Sequence, residues 1–132
     1  MSKKYNYSNL TVKNSSFFKR FSHKKRFEKA LKLADLSDEN SILDFGTGDG
    51  YFLNLLRENT HATIVGYEPI DDMFEQLEKT ISDKTIKIIN NLNAVKEKFD
   101  VVYCLEVLEH FREEHQIKRI KEIKSKLNKN GR

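Results

Sequence analysis

The stretch Ile42–Phe52, ILDFGTGDGYF, decides how the chain is read. Two apolar residues lead into Asp44, and Gly46, Gly48 and Gly50 then recur at every second position before apolar residues resume. Glycine loses more backbone freedom on folding than any other residue, so three in five positions is costly unless the chain must bend sharply or approach something closely there. SILDF, ahead of the glycines, reads as a short buried strand. Asp49–Glu58, behind them, reads as a helix with Phe52, Leu53, Leu55 and Leu56 on its apolar side. A strand, a bare turn and a helix are how a doubly wound sheet builds a ligand site beyond the carboxyl ends of its strands.

Downstream the same alternation continues. ATIVGYE is a second strand with β-branched Thr63, Ile64 and Val65, and Pro69 stops it. Asp71 and Asp72 then start a helix through Met73, Phe74 and Leu77, where early acids suit the helix dipole. Thr85–Ile89 is a third strand and Phe99–Glu106 a fourth. A long helix follows from Arg112, with Ile117, Ile120, Ile123 and Leu127 along one side and Gly131 at the expected stop. Upstream, residues 1–14 read as a polar arm, and Asn14-Ser15-Ser16 as a helix cap. Phe17, Phe21, Phe27, Leu31 and Ala34 then recur at helical spacing, with a break expected near Ser22-His23. A basic, Phe-rich helix of this kind can lie on a membrane surface, but packing on a domain core is its commoner fate. Helices alternating with apolar strands predict an α/β fold whose parallel sheet is covered on both faces. Residues 1–36 form the arm and first helix, and residues 37–132 the domain proper.

The 132 residues have room for one core, and 38% of them are apolar. The single cysteine, Cys104, excludes an internal disulfide framework and fits a reducing compartment. No apolar run approaches a membrane span, and MSKKYNYSNL has no apolar segment behind its lysines, so a cytoplasmic location is expected. Charge is uneven. Residues 1–35 carry ten Lys/Arg against two acids, residues 36–111 six against fifteen, and residues 112–132 eight against three. Such ends can attract phosphate-bearing partners. Solvated helix faces in a lysine-rich chain are the favoured explanation, since no nucleic-acid motif accompanies the charge.

The glycine spacing selects the ligand. Dinucleotide sites use G-x-G-x-x-G and place a pyrophosphate at the helix start. Here the spacing is G-x-G-x-G, and Asp44 stands two residues before the first glycine. A carboxylate there is a poor neighbour for pyrophosphate and suits a cationic ligand, which disfavours a nicotinamide-binding domain.

DFGTGDG (Asp44–Gly50) resembles motif I of the class I methyltransferases that use S-adenosylmethionine. GYEP places Glu68 24 residues after Asp44, where the family holds the ribose hydroxyls with an acid. FDVVYCLEVLEHF is similar to the family's fourth strand, and LNKNGR to its turn before strand five. The resemblance covers residues 37–132 and is nearest to the ubiquinone-biosynthesis O-methyltransferase-like group. It implies a Rossmann-like, doubly wound sheet of strand order 3-2-1-4, with the usual strands five to seven missing. It implies S-adenosyl-L-methionine as cofactor, contacted by Asp44, Phe45, Gly46, Gly48, Gly50, Tyr51, Glu68, Pro69, Leu105 and Glu106. A polar residue among Asn90, Asn91 and Asn93 would meet the adenine, with Asn91 taken forward, and Leu92 would press on the ring. The implied reaction is in-line displacement on the methyl carbon, in which the protein mainly aligns the partners and excludes water.

EVLEH places Glu106, Glu109 and His110 at i, i+3 and i+4, on one face of any helix beginning there. It resembles a segment of metal-dependent RNA 3′-end and ubiquinone-pathway methyltransferases. Metal ligation, acid–base or substrate contact by Glu106 or His110, and a structural role compete, and the structural role is favoured. No metal is expected, because no further ligand follows downstream. His23, His61 and His115 are taken as surface residues, Cys104 as a core residue and Asp49 as part of the turn.

The expected function is methyl transfer to a small-molecule, lipid or glycan-precursor acceptor. A nucleic-acid acceptor is disfavoured, and an RNA methyltransferase or a binding module without turnover stands as the alternative. A fourth strand without a fifth beside it would be an open edge inviting self-association. A fragment, a natural truncation or an assembly covering that edge is therefore expected.

Overall fold

A computed structural model describes residues 17–132, with side chains described from Ser22 onward. The polar arm over residues 1–14 and the cap at Asn14–Ser16 lie outside the described residues, as do the side chains of Phe17 and Phe21. Helix α1 (Phe17–Ala34) runs through Ser22-His23 without the expected break. It ends on Asp35, which takes a left-handed φ of 46°. Strand β1 (Ser41–Phe45), helix α2 (Tyr51–Asn59), strand β2 (Thr63–Tyr67), helix α3 (Asp71–Thr80) and strand β3 (Lys87–Ile89) follow. A 3-10 turn (Leu92–Ala94), strand β4 (Val101–Tyr103), a second 3-10 turn (Leu108–His110) and helix α4 (Glu113–Ser125) complete the chain.

The four strands are parallel in the order β3-β2-β1-β4. Side chains alternate across the sheet. Ile42, Ile64, Val101 and Tyr103 meet Phe52, Leu53, Leu56 and Leu77 of α2 and α3 on one face, where Phe27, Ala30 and Leu31 of α1 also pack. Leu43, Phe45, Val65 and Tyr67 form the other face with Leu92, Val95, Phe99 and Ile123. Gly66 is the position where β2 lets a helix in closely: a Cβ there would lie 2.7 Å from Leu53 Cδ1.

Several expected elements are shorter than the pattern implied, each for a local reason. Asp83 accepts hydrogen bonds from the Thr85 backbone N–H and hydroxyl, so Thr85 belongs to a turn and not to β3. Phe99 pairs only as an isolated bridge with Leu127. Glu106, with a φ of 58°, lies outside extended geometry and cannot continue β4. α2 starts at Tyr51 because Gly50 is left-handed and Asp49 accepts from the Tyr51 N–H, which places Asp49 in the turn. α4 stops at Ser125, so Gly131 is not its stop; that glycine lies in a later turn, where a Cβ would sit 3.0 Å from the Phe99 carbonyl. Ile123 packs inward, whereas Ile117 and Ile120 of the same apparent stripe stay half exposed.

The β4 edge is not open along its first half. Val102 N–H donates to the Arg132 carbonyl and Arg132 N–H to the Asp100 carbonyl, both at 2.9 Å, which is the pattern of a parallel bridge. The Arg132 guanidinium then reaches across to the Ala34 and Asp35 carbonyls, placing a cation at the α1 C-terminus. Asp100 ties the start of β4 to β1 by accepting from the Ser41 N–H at 2.8 Å, and it also accepts from Asn128 Nδ2. The expected self-association through this edge therefore loses part of its surface to the chain's own residues. Among the described residues no helix is long and apolar enough to cross a membrane.

Leu53 is fully buried between α2 and Gly66. Leu53→Ala is expected to destabilise the fold by about 2–5 kcal/mol, read from the midpoint shift in urea. A loss below about 1 kcal/mol would mean that this contact does not hold α2 on the sheet.

Candidate functional site

The carboxyl ends of four parallel strands deliver Gly46, Glu68, Asn91 and Glu106 to the same edge of the sheet. At its centre is the turn after β1. Gly46, Gly48 and Gly50 have φ values of 82°, 59° and 81°, a region that costs other residues roughly 1–2 kcal/mol each. The three glycines do different things. A Cβ at Gly46 would fall 2.5 Å from Val107 Cγ2, and one at Gly50 would fall 2.6 Å from Leu77 Cδ1. A Cβ at Gly48 would meet nothing within 4 Å, so this residue borders open space.

Two carboxylates shape the turn. The Gly46 and Thr47 N–H groups both donate to the Tyr67 carbonyl, which joins the turn to the end of β2. Thr47 Oγ1 donates to Asp44 Oδ2 at 2.6 Å. Gly48 N–H donates to Glu68 Oε2 and Ile70 N–H to Glu68 Oε1, each at 3.0 Å. Asp44 and Glu68 are each only 3% exposed. Burial pushes the Asp44 carboxyl up to about 7; the Thr47 hydroxyl opposes the rise, and the charges of Glu68 and Asp49 add to it. Burial likewise raises Glu68, opposed by its two backbone donors. None of the ion pairs among the described residues involves either acid. Two buried acids without a protein cation, beside a glycine bordering open space, form a cradle fitted to a ligand that carries positive charge and hydroxyl groups.

The other candidates surround this centre unevenly. Tyr51 is 41% exposed, with its ring 5.7 Å from that of Phe27 on α1. Pro69 is exposed beside Glu68. The Asn91 side chain accepts from the Asn93 N–H and caps the turn in which Leu92 is buried. Phe45 is buried against Tyr67 in the second core, facing away from the turn's open side. Leu105 is half-buried against the first core. Cys104 is half-buried against the second, and burial lifts its thiol to about 11.

EVLEH does not form the expected shared helical face. Glu106 has left-handed geometry, and the 3-10 turn begins only at Leu108. Glu109 and His110 are exposed. Among the described residues no three His, Cys, Asp or Glu side chains are grouped to hold a metal. Glu106 turns instead toward α1, where it pairs with Arg26 and lies 3.2 Å from His23 Nδ1. His23, expected at the surface, is thus half-buried at the site's rim. Thr47, Val107 and Arg26 escaped the sequence reading, and His23 was read only as a surface residue. A Thr between two motif glycines was the one visible signal; the others meet the site across the fold.

A family description, Methyltransferase domain, matches residues 15–132. The chain belongs to the methyltransferase-domain family. Among curated relatives of this methyltransferase domain, a tRNA U34 carboxymethyltransferase of Campylobacter jejuni is 29% identical over 99 residues, covering 70% of this chain and 33% of the relative. The chain therefore spans about a third of the length of the curated relatives it matches. Among solved structures, magnesium protoporphyrin IX methyltransferase of Synechocystis with bound SAM aligns with a TM-score of 0.71 at 17% identity, covering 97% of this chain and 62% of that one. A SAM-dependent methyltransferase of Thiobacillus denitrificans in complex with S-adenosyl-L-homocysteine aligns with a TM-score of 0.69 at 19% identity, covering 99% and 54%. These two likenesses are of fold.

The elevated Asp44 carboxyl has a stability consequence. Its folded value of about 7 exceeds its ordinary 3.8, so the folded state holds an extra proton between these limits and loses stability as pH rises through that window. Asp44→Asn is expected to be more resistant to urea than the parent at about pH 8 and equal to it near pH 4. An equal difference at both pH values would show that Asp44 is not the titrating group.

Proposed function

We propose that this chain is the cofactor-binding portion of an S-adenosylmethionine-dependent methyltransferase. The observation that carries the reading is the unmatched, buried Asp44–Glu68 pair around a turn whose middle glycine borders open space. The family supports the same reading. Each Glu68 oxygen accepts one backbone N–H and keeps capacity for another donor, which suits vicinal ribose hydroxyls. Asp44, held by Thr47, supplies negative charge at the end of β1. Gly48 leaves room for close backbone approach, while Tyr51, Asn91 and Leu92 stand at the sides. When bound, the cofactor supplies a methyl group on a sulfonium, whose sulfur leaves without needing a proton. The chain's own contribution is thus to hold, orient and exclude water.

For the acceptor, two classes compete. The pattern alone favoured a small-molecule, lipid or glycan precursor. RNA is the second reading, and the relatives named for tRNA favour it.

Calorimetry with S-adenosylhomocysteine tests the site. The chain is expected to bind it and not NADH. Glu68→Ala should weaken binding by roughly tenfold or more, the scale of a lost hydrogen bond to a charged group. Because Glu68 also fastens the Gly48 and Ile70 N–H groups, this variant should unfold more easily as well. Gly48→Ala meets no neighbour, so it should lose the ligand while costing only the roughly 1–2 kcal/mol of its left-handed backbone. NADH binding without S-adenosylhomocysteine binding would overturn the proposal.

A further inference from the structure

We propose that the outward face of α1 is the docking surface for the phosphate backbone of an RNA acceptor, an inference that rests on the RNA reading above. α1 carries seven Lys/Arg and one acid in 18 residues. Its apolar residues Phe27, Ala30, Leu31 and Ala34 turn into the core. Lys25, Lys29 and Lys32, at i, i+4 and i+7, therefore share the opposite face, and all three are exposed. The one acid of the helix, Glu28, lies within 4.0 Å of Lys24.

Position gives this charge its meaning. α1 borders the candidate site through Phe27 against Tyr51 and through Arg26 and His23 on Glu106. The basic face is thus roughly one helix diameter, about 10 Å, from the side of α1 that touches Tyr51 and Glu106. Buried acids form the floor and exposed cations the rim, so a cationic cofactor and a polyanionic acceptor would be attracted to different levels of one site. The basic residues of α4 differ: three acids are interspersed among them, and α4 packs on the other face of the sheet.

An anionic membrane is the rival partner for a basic helix. A membrane-surface helix needs a free apolar face. Among the described residues of α1 that face, Phe27, Ala30, Leu31 and Ala34, is spent on the core, and Leu33 alone of the large apolar side chains is exposed. The single strands and loops of an RNA offer phosphate spacing without requiring apolar insertion.

Binding of unfractionated tRNA, and of phosphatidylcholine vesicles containing phosphatidylserine, is measured by fluorescence anisotropy and co-sedimentation over a salt series. S-adenosylhomocysteine calorimetry is run in parallel. The parent chain is expected to bind tRNA with a steep salt dependence and to ignore vesicles. K25E/K29E/K32E should bind tRNA at least about tenfold more weakly, with the salt slope reduced by roughly two, while calorimetry is unchanged. Parent-like tRNA binding by that variant would overturn the docking face and leave the RNA reading standing. Absence of tRNA binding by the parent would overturn both, while intact calorimetry preserved the cofactor site. Vesicle binding stronger than tRNA binding would overturn the assignment of partner.

Discussion

The site depends on one hydrogen bond between two strand ends: the Gly48 N–H donating to the buried Glu68 carboxylate. A turn with three left-handed residues in five has little intrinsic reason to hold one shape. It is held because β2 offers it two anchors in succession, the Tyr67 carbonyl for Gly46 and Thr47, then the Glu68 side chain for Gly48. Those anchors sit where they do because β1 and β2 are paired in parallel with Phe45 opposite Tyr67. The register of two short strands therefore fixes the shape of the turn, and the turn fixes which backbone atoms face open space.

The same arrangement keeps two acids close in a dry place. Their mutual repulsion and burial would be costly for a protein serving only stability, since isolated buried charge is strongly unfavourable. The fold relieves part of that cost locally, through the Thr47 hydroxyl and two backbone donors, and through partial protonation of Asp44 near neutrality. Among the described residues, what it does not provide is a cation paired with either acid. A ligand bringing one would complete the electrostatics and would bind more firmly once Asp44 is ionised.

The parts legible in the sequence were those with local causes. Positive-φ glycines announce themselves, and short apolar, β-branched runs versus helical apolar spacing separated the strands from α2 and α3. The strand order followed from the resemblance. What stayed hidden depends on contacts distant along the chain. Val107 closes over Gly46, and Glu106 meets α1 80 residues earlier. Neither pairing leaves a periodic trace. EVLEH left its alternatives open because i, i+3, i+4 spacing describes side chains only if the backbone is helical, and Glu106 is left-handed instead. Ile117 and Ile120 share the helical spacing of Ile123, but spacing cannot say how far along its length a helix stays in contact with the sheet.

Glu106 connects these observations. A non-glycine residue in left-handed geometry is uncommon, and it persists only where the surroundings hold it. Here Arg26 and His23 hold the Glu106 side chain, so the segment following β4 is tied to the helix that carries the basic face. Displacing α1 would leave the Glu106 carboxylate without either of these partners. The segment following β4 and the outward cations therefore meet on one helix: Arg26 and His23 belong to α1, as do Lys25, Lys29 and Lys32.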